Sequence, residues 1–567
     1  MRETIHLLCK NFCLTKPLLS NRVYFFLFSL LGLVYIAGLF VPLMDNDAGH
    51  HAAIGLRMYL TGDYVNLIDH RGDYIDKPHF LFWTSALSYH IFGVNSFAYR
   101  FPSFLFTILG TYSIYRLAKE LYDPGTGKLA ALIAASSFCY ILANNDVRMD
   151  AILTAAIAFA TWQLVAFVHH RKFIFLLGAA LGLAIGFSTK GHVGLVTPVA
   201  GLFFYLLFKK NWKMVFDWHW LVVIFFFAVF ISPVVYCYYL QFNLHPEKVS
   251  QGIKGVNGVK YILWSHSFDR IQGAERFGKV GQQDHFFFLH TFLWTFAPWC
   301  FVAFIALFVR LKNFFARREE WLSTGTFLML AALINFSNFK LPHYLPILTP
   351  ATALIVAHFF VSRWNNEKWR RVFFIIQISA SLLLLLIAAI VNTWAFPITK
   401  IIVLIGLVVL LAIVFYFLLN KLLSNIQKAI TVSVASIVLF FFLANTNFYP
   451  QLLTYQGGKP LADKTRGIAD PKNVYFLKNT FSSTYNFYSA SNRQAYPDSL
   501  KNVNQKFWLI YEKSQQQNID SLNFNIGKTF SVPDYEITRL KRSFIDPATR
   551  NQTLDTMIMA EVVGRKE

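Results

Sequence analysis

The chain has 567 residues, of which 55% are hydrophobic and 17% aromatic, with only 14% charged. A soluble globular protein carries about 25% charged residues, so the composition excludes a wholly soluble chain and indicates a polytopic helical membrane protein. The formal net charge of +22 would suit a nucleic-acid partner, but most of it lies in short loops between apolar runs, and no nucleic acid is expected.

In chain order, residues 1–22 form a basic, weakly amphipathic segment. The apolar run at 23–43 follows without a clear small-residue cleavage site, so it reads as a retained span. Further runs near the spanning length of about 17–25 residues lie at 97–117, 128–144, 150–169, 173–189, 193–209, 219–240, 287–309, 322–338, 345–362, 372–394, 400–420 and 429–446, which predicts about thirteen spans. Alternate short loops are basic: Arg116, Lys119 and Lys128; Arg171 and Lys172; Lys209, Lys210 and Lys213; Arg310, Lys312, Arg317 and Arg318; Arg363, Lys368, Arg370 and Arg371; Lys421 and Lys428. The positive-inside rule then places the N-terminus in the cytoplasm, and an odd number of spans places the C-terminal segment outside.

The opposite side holds the long segments 44–96, 241–286 and 447–567. The first contains two amphipathic stretches, about 47–61 and 78–93, expected to lie along the membrane surface. The last turns polar, with strand-like NVYFL and FWLIYE, a helical SSTYNFYSA and turn signals DPKN and VPD. It reads as a small soluble α/β domain following a membrane domain over 23–446. No internal repeat of the transporter kind is visible. The five cysteines (Cys9, Cys13, Cys139, Cys237 and Cys300) form no CxxC or paired framework, so neither a disulfide scaffold nor a thiolate metal site is indicated.

Ionisable residues gather on the outer side: Asp45 and Asp47; Asp76 and Lys77; Arg148 and Asp150; Lys190 and His192; Asp269, Arg270, Glu275 and Arg276; Lys340, His343 and Tyr344. A single Lys or Arg at a bilayer edge is ordinarily an interfacial anchor, but carboxylates do not snorkel as long basic chains do. Carboxylates beside cations suit a site that holds a lipid phosphate and activates a nucleophile. His50 and His51 point about 100° apart on a helix, and a solvated face accounts for them better than a metal site built with Asp45 and Asp47. No metal is expected, and no HExxH, P-loop or GxGxxG motif points elsewhere.

Five segments, in order, resemble one family. DNDAGHHAAIGLRMYLTGDYV (45–65), IDKPHFLFW (75–83), DVRMDA (146–151), STKG (188–191) and FSNFKLPHYLPILTP (336–350) resemble the GT-C-type polyprenyl-phosphate-dependent glycosyltransferases. The branch is that of the lipid A aminoarabinose transferase and its protein O-mannosyltransferase relatives. Each motif is weak alone; their order on one predicted side carries the resemblance, which covers most of residues 20–350. It implies a GT-C fold in a bacterial inner membrane and an inverting transfer of a sugar from a polyprenyl (undecaprenyl) phosphate to an extracytoplasmic acceptor, lipid A or a related glycolipid first, with no required cofactor. Counting back from Gly62-Asp63-Tyr64 places Asp47 on the family's catalytic aspartate, with Asp150 as supporting acid and Asp45 as an extra acid. Lys77, Arg276 or Arg270, Lys340 and Tyr344 would hold the donor phosphate, and His50, Lys190 and His343 would line the substrate pocket. Three departures leave sugar and acceptor open: Ala48 replaces the acid that usually follows the catalytic aspartate, His50 replaces a basic residue, and the segment after Tyr344 is shorter. The rivals are a protein Ser/Thr or surface-polysaccharide acceptor and, from other classes, a transporter or flippase, or a membrane scaffold for the C-terminal domain. The one-sided acids and the missing repeat speak against the last three.

Overall fold

In the bilayer interior only structures that pair their own backbone groups are stable, and the apolar runs fold as helices. The computed structural model describes residues 18–250, 252–265, 284, 286–316, 319–337, 340–477, 480–491 and 506–565. Among the described residues nine helices are long and apolar enough to cross a membrane, and a tenth if Pro124–Ala135 and Phe138–Asn145, which meet at 51°, are one broken span. The remaining three of the thirteen expected runs are helical too. Ser96–Leu121 is a long helix rich in polar residues, the 287–309 run divides into Phe287–Thr295 and Cys300–Lys312, and Trp321–Phe336 is short.

The first span, α1 (Asn21–Leu39), ends at the stretch that leads to the candidate site. Helices form over both stretches expected to be amphipathic, α2 (Asp47–Thr61) and α3 (Phe80–Phe92). Asn46 caps α2, its side chain accepting from the Ala48 amide at 2.8 Å. Gly62 ends α2 with a φ of 70°, a left-handed conformation that glycine adopts without strain. Gly49 lets α2 fold back on the preceding loop, because a Cβ there would meet the Met44 carbonyl oxygen at 2.7 Å. Between α2 and α3 lies a short hairpin, β1 (Ile68–Asp69) and β2 (Gly72–Asp73), that the sequence pattern did not announce. The next helix, α4 (Ser96–Leu121), carries Arg100, which is 1% exposed. Its guanidinium donates to the carbonyls of Asn145 (2.8 Å), Pro42 (3.0 Å) and Val41, and so fixes the exit of α1 against the end of the Phe138–Asn145 helix. Two spans follow, α5 (Asp150–His170) and α6 (Phe173–Lys190).

A second small hairpin, β3 (Val249–Ser250) with β4 (Ile253–Lys254), belongs to the second long loop. The Gln241 amide nitrogen donates to the Leu67 carbonyl at 2.7 Å, and Lys248 pairs with Asp73 at 3.0 Å, so the two loops hold each other. Past the last span the chain forms a four-stranded sheet in the order β5 (Val474–Phe476), β6 (Phe507–Glu512), β8 (Asp555–Arg565), β7 (Phe524–Asp534). β5 and β6 are parallel, whereas β8 runs antiparallel to both β6 and β7. A short helix, α7 (Ser483–Tyr488), matches the expected SSTYNFYSA helix, and β5 and β6 match the two expected strands. Its Tyr485 packs with Leu461, Phe476, Trp508 and Met559 in the core of this sheet domain.

Candidate active site

Asp47 opens α2, where the helix dipole favours a negative charge. Its carboxylate accepts from Arg148 Nη1 at 2.6 Å, and its side chain remains 51% exposed. Arg148 comes from the turn between the Phe138–Asn145 helix and α5. It also donates to Asp146 at 3.1 Å and touches His343 Nδ1 at 3.1 Å. Asn46 Nδ2 donates to the other Asp146 oxygen at 3.2 Å, closing a ring of Asn46, Asp146, Arg148 and Asp47. Burial pushes the Asp47 carboxyl up, but Arg148, with a further share from Lys77, outweighs it and holds the carboxyl below its ordinary range.

The other predicted residues lie around this ring. Asp150 is buried and pairs with Lys190 at 2.7 Å, and the Lys190 ammonium also stands 4.3 Å from the centre of the Tyr344 ring. Asp150 therefore acts on Arg148 at one remove and does not contact Asp47. Lys77 pairs with its neighbour Asp76 at 2.6 Å and lies close enough to act electrostatically on both Asp47 and His343. Arg148, Asp146, Asp150 and His343 share a cavity of about 330 Å³ with Trp294 and, from the C-terminal domain, Thr538. Lys340 is buried with its ammonium on the Asp284 carbonyl, 3.2 Å away. Arg270 and Arg276 lie outside the described residues.

Two readings of the sequence need correction. Asp45 does not stand beside Asp47 as a second candidate acid. Its carboxylate is turned into the C-terminal domain, where it accepts from the Ser482 hydroxyl, the Thr484 hydroxyl (2.9 Å) and the Thr484 amide (3.2 Å). Burial pushes that carboxyl up, and these hydrogen bonds offset part of the rise. Nor are the two histidines a solvated face. His51 is 4% exposed on the side of α2 that packs on α3, edge-on to Phe82, and burial pushes its imidazole down to about 3. His50 bonds Asp69 at 3.1 Å instead of facing the Asp47 cavity. The residue that sequence reasoning left without a role is Arg148; its signal was the acid–base–acid spacing in DVRMD, which reads as an anchor until Asp47 is folded against it.

Comparison with known proteins bears on the fold. The family model described as dolichyl-phosphate-mannose-protein mannosyltransferase matches residues 76–237, which include Lys77, Arg148, Asp150 and Lys190. The crystal structure of ArnT from Cupriavidus metallidurans bound to undecaprenyl phosphate superposes with a TM-score of 0.71 over 94% of this chain and 97% of that one, at 14% identity. The chain has the GT-C fold. Sequence relatives of this fold include the undecaprenyl phosphate-alpha-4-amino-4-deoxy-L-arabinose arabinosyl transferase of Pseudomonas aeruginosa, 26% identical over 59% of this chain and 58% of that protein. The same enzyme type from Sodalis glossinidius is 30% identical over 34% of this chain and 36% of its own length. An uncharacterized Aquifex aeolicus protein is 24% identical over 58% of this chain and 61% of its own. This chain thus spans about three fifths of the first of these curated relatives. These matches fall in the group of enzymes that the five segments resemble.

Proposed function

We propose that this GT-C protein is a membrane glycosyltransferase that moves a sugar from a polyprenyl (undecaprenyl) phosphate to an extracytoplasmic acceptor, lipid A or a related glycolipid. The observation that carries the proposal is the Asp47–Arg148 pair: Asp47 is half exposed, Arg148 lines a cavity with Asp150 and His343, and Lys77 is near enough to act on Asp47 electrostatically. In a single displacement the acceptor oxygen forms a bond to the anomeric carbon while the bond from that carbon to the donor phosphate oxygen breaks. The phosphate leaves with the electron pair. Lys77, Lys190 and Tyr344, with the second-loop arginines, are the groups we assign to stabilising that growing charge at a site of low dielectric. The reaction so written needs no cofactor.

Asp47, held ionised by Arg148, is a weak base and a good orienting anion. That property favours an acceptor that is already a nucleophile, such as a phosphate on lipid A, whose charge Arg148 can share; a serine or threonine hydroxyl would need a stronger base. The distribution of basic residues among the short loops supports a cytoplasmic N-terminus, with this site and the C-terminal domain on the outer face of the inner membrane.

The test is Asp47→Asn in purified enzyme with an undecaprenyl-phosphate aminopentose and lipid A, with the product read by mass spectrometry. Transfer is expected to fall by about 10²–10⁴-fold with normal expression and unfolding temperature. Near-normal turnover sinks the assignment. Mass spectra of lipid A, glycolipids and surface proteins from cells with and without the chain distinguish the acceptor classes.

A further inference from the structure

We propose that His50, Asp69 and His70 form a zinc site, separate from the Asp47 cavity, that ties the first outer loop to the C-terminal domain. One ligand atom from each of these three residues lies within 4.8 Å of the others, the one such group among the described residues. The β1–β2 hairpin brings it about by setting Asp69 and His70 beside the first turns of α2, where His50 Nε2 already stands 3.1 Å from Asp69 Oδ2.

The ligands are held in advance. The Asp69 side chain is 4% exposed, and its Oδ1 accepts from the Arg71 amide at 2.7 Å, which leaves Oδ2 toward His50. The His70 ring stacks on Phe481 of the C-terminal domain, with centroids 3.9 Å apart at 14°. Its Nδ1 is buried without a hydrogen-bond partner among the protein atoms. Such outer contacts orient metal ligands and raise affinity. A cavity of about 80 Å³ adjoins all three residues and reaches Ser483, Asn486 and Ser491. A water needs about 10–15 Å³, so the space takes an ion and an added oxygen ligand.

The donor set selects the metal. Two imidazoles and one carboxylate suit zinc, whereas calcium and magnesium prefer all-oxygen cages. Zinc bonds of about 2.0–2.1 Å require the three groups to draw together by small side-chain rotations. As the ion enters, His50 binds it as the neutral imidazole through Nε2 and carries its one ring proton on Nδ1, any second ring proton going to solvent. The Arg71 guanidinium shares Asp69 Oδ2 at 3.2 Å, but its side chain is 68% exposed and turns outward freely. Because His50 lies three residues after Asp47 on α2, the ion would also hold the first turn of that helix in place.

The experiment uses the full chain, purified in detergent with a tag that contains no histidine, incubated with zinc and then passed through gel filtration. Elemental analysis should find about one zinc per chain, and cobalt in its place should give visible ligand-field absorption. In His70→Ala and Asp69→Asn bound zinc should fall about tenfold or more, while His90→Ala, a histidine on α3 outside the group, keeps it. Wild-type protein without stoichiometric zinc, or with zinc and cobalt spectra that both variants retain, overturns the proposal. If either variant fails to fold, His50→Gln and the wild-type cobalt spectrum decide. None of these readouts uses glycosyl transfer, so a failure here is separable from a failure of the proposed reaction.

Discussion

Asp47 keeps its charge because Arg148 lies against it, and this has a measurable pH consequence. With the pair intact the Asp47 carboxyl titrates below its ordinary range, so the acid limb of the proposed transfer is expected at low pH. Removing the guanidinium in Arg148→Met leaves burial dominant, and the carboxyl rises. The acid limb of kcat/KM should move to higher pH and the rate should drop about 10²-fold, measured across pH in proteoliposomes. An unmoved acid limb would refute the role. The sequence made Asp47 legible because its distance from Gly62-Asp63 could be counted. It misplaced Asp45, whose partners Ser482 and Thr484 lie 437 and 439 positions away; no local pattern reports a contact of that span. Arg148 was visible as a charge but not as the partner of Asp47, for the same reason.

Among elements, hydropathy revealed nearly every membrane helix, since a bilayer imposes length and composition directly. It did not reveal where helices break, because the 51° bend after Ala135 and the interruption between Thr295 and Cys300 are set by neighbours. Nor did it reveal Arg100, which reads as one charge near a span end but gathers carbonyls from two other segments. Replacing it with methionine strands those carbonyls in a dry environment, at about 1–3 kcal/mol for each group left unpaired. Arg100→Met should therefore lower the thermal midpoint of the detergent-solubilised protein by several degrees and reduce transfer through displacement of residues 41–47. An unchanged midpoint would show that the guanidinium is dispensable.

At the scale of the molecule, the C-terminal domain takes part in building the site. The Leu43 amide donates to the Tyr488 hydroxyl at 2.7 Å, the Asp45 amide to Gln456 at 2.6 Å, and the Asp45 carboxylate accepts from Ser482 and Thr484. Asp45→Ala removes an acceptor shared by several donors. It is expected to speed tryptic cleavage of the C-terminal domain and slow transfer about tenfold, at a net cost of about 1–3 kcal/mol. Cleavage at the wild-type rate would refute the latch. Composition alone announced a polar domain and two of its strands, β5 and β6. The pairing of β7 with β8, and the docking itself, depend on contacts between segments that are remote in the chain.

Those contacts also set an order of events during synthesis. Residues 43–45 leave the ribosome early, yet their partners at 456–488 arrive after every membrane helix has been made. The stretch that carries Asp47 therefore lacks these partners until residues 456–488 have been made and have folded back on it. A nascent or prematurely stopped chain would hold all the charged residues of the cavity and still be silent toward the lipids around it.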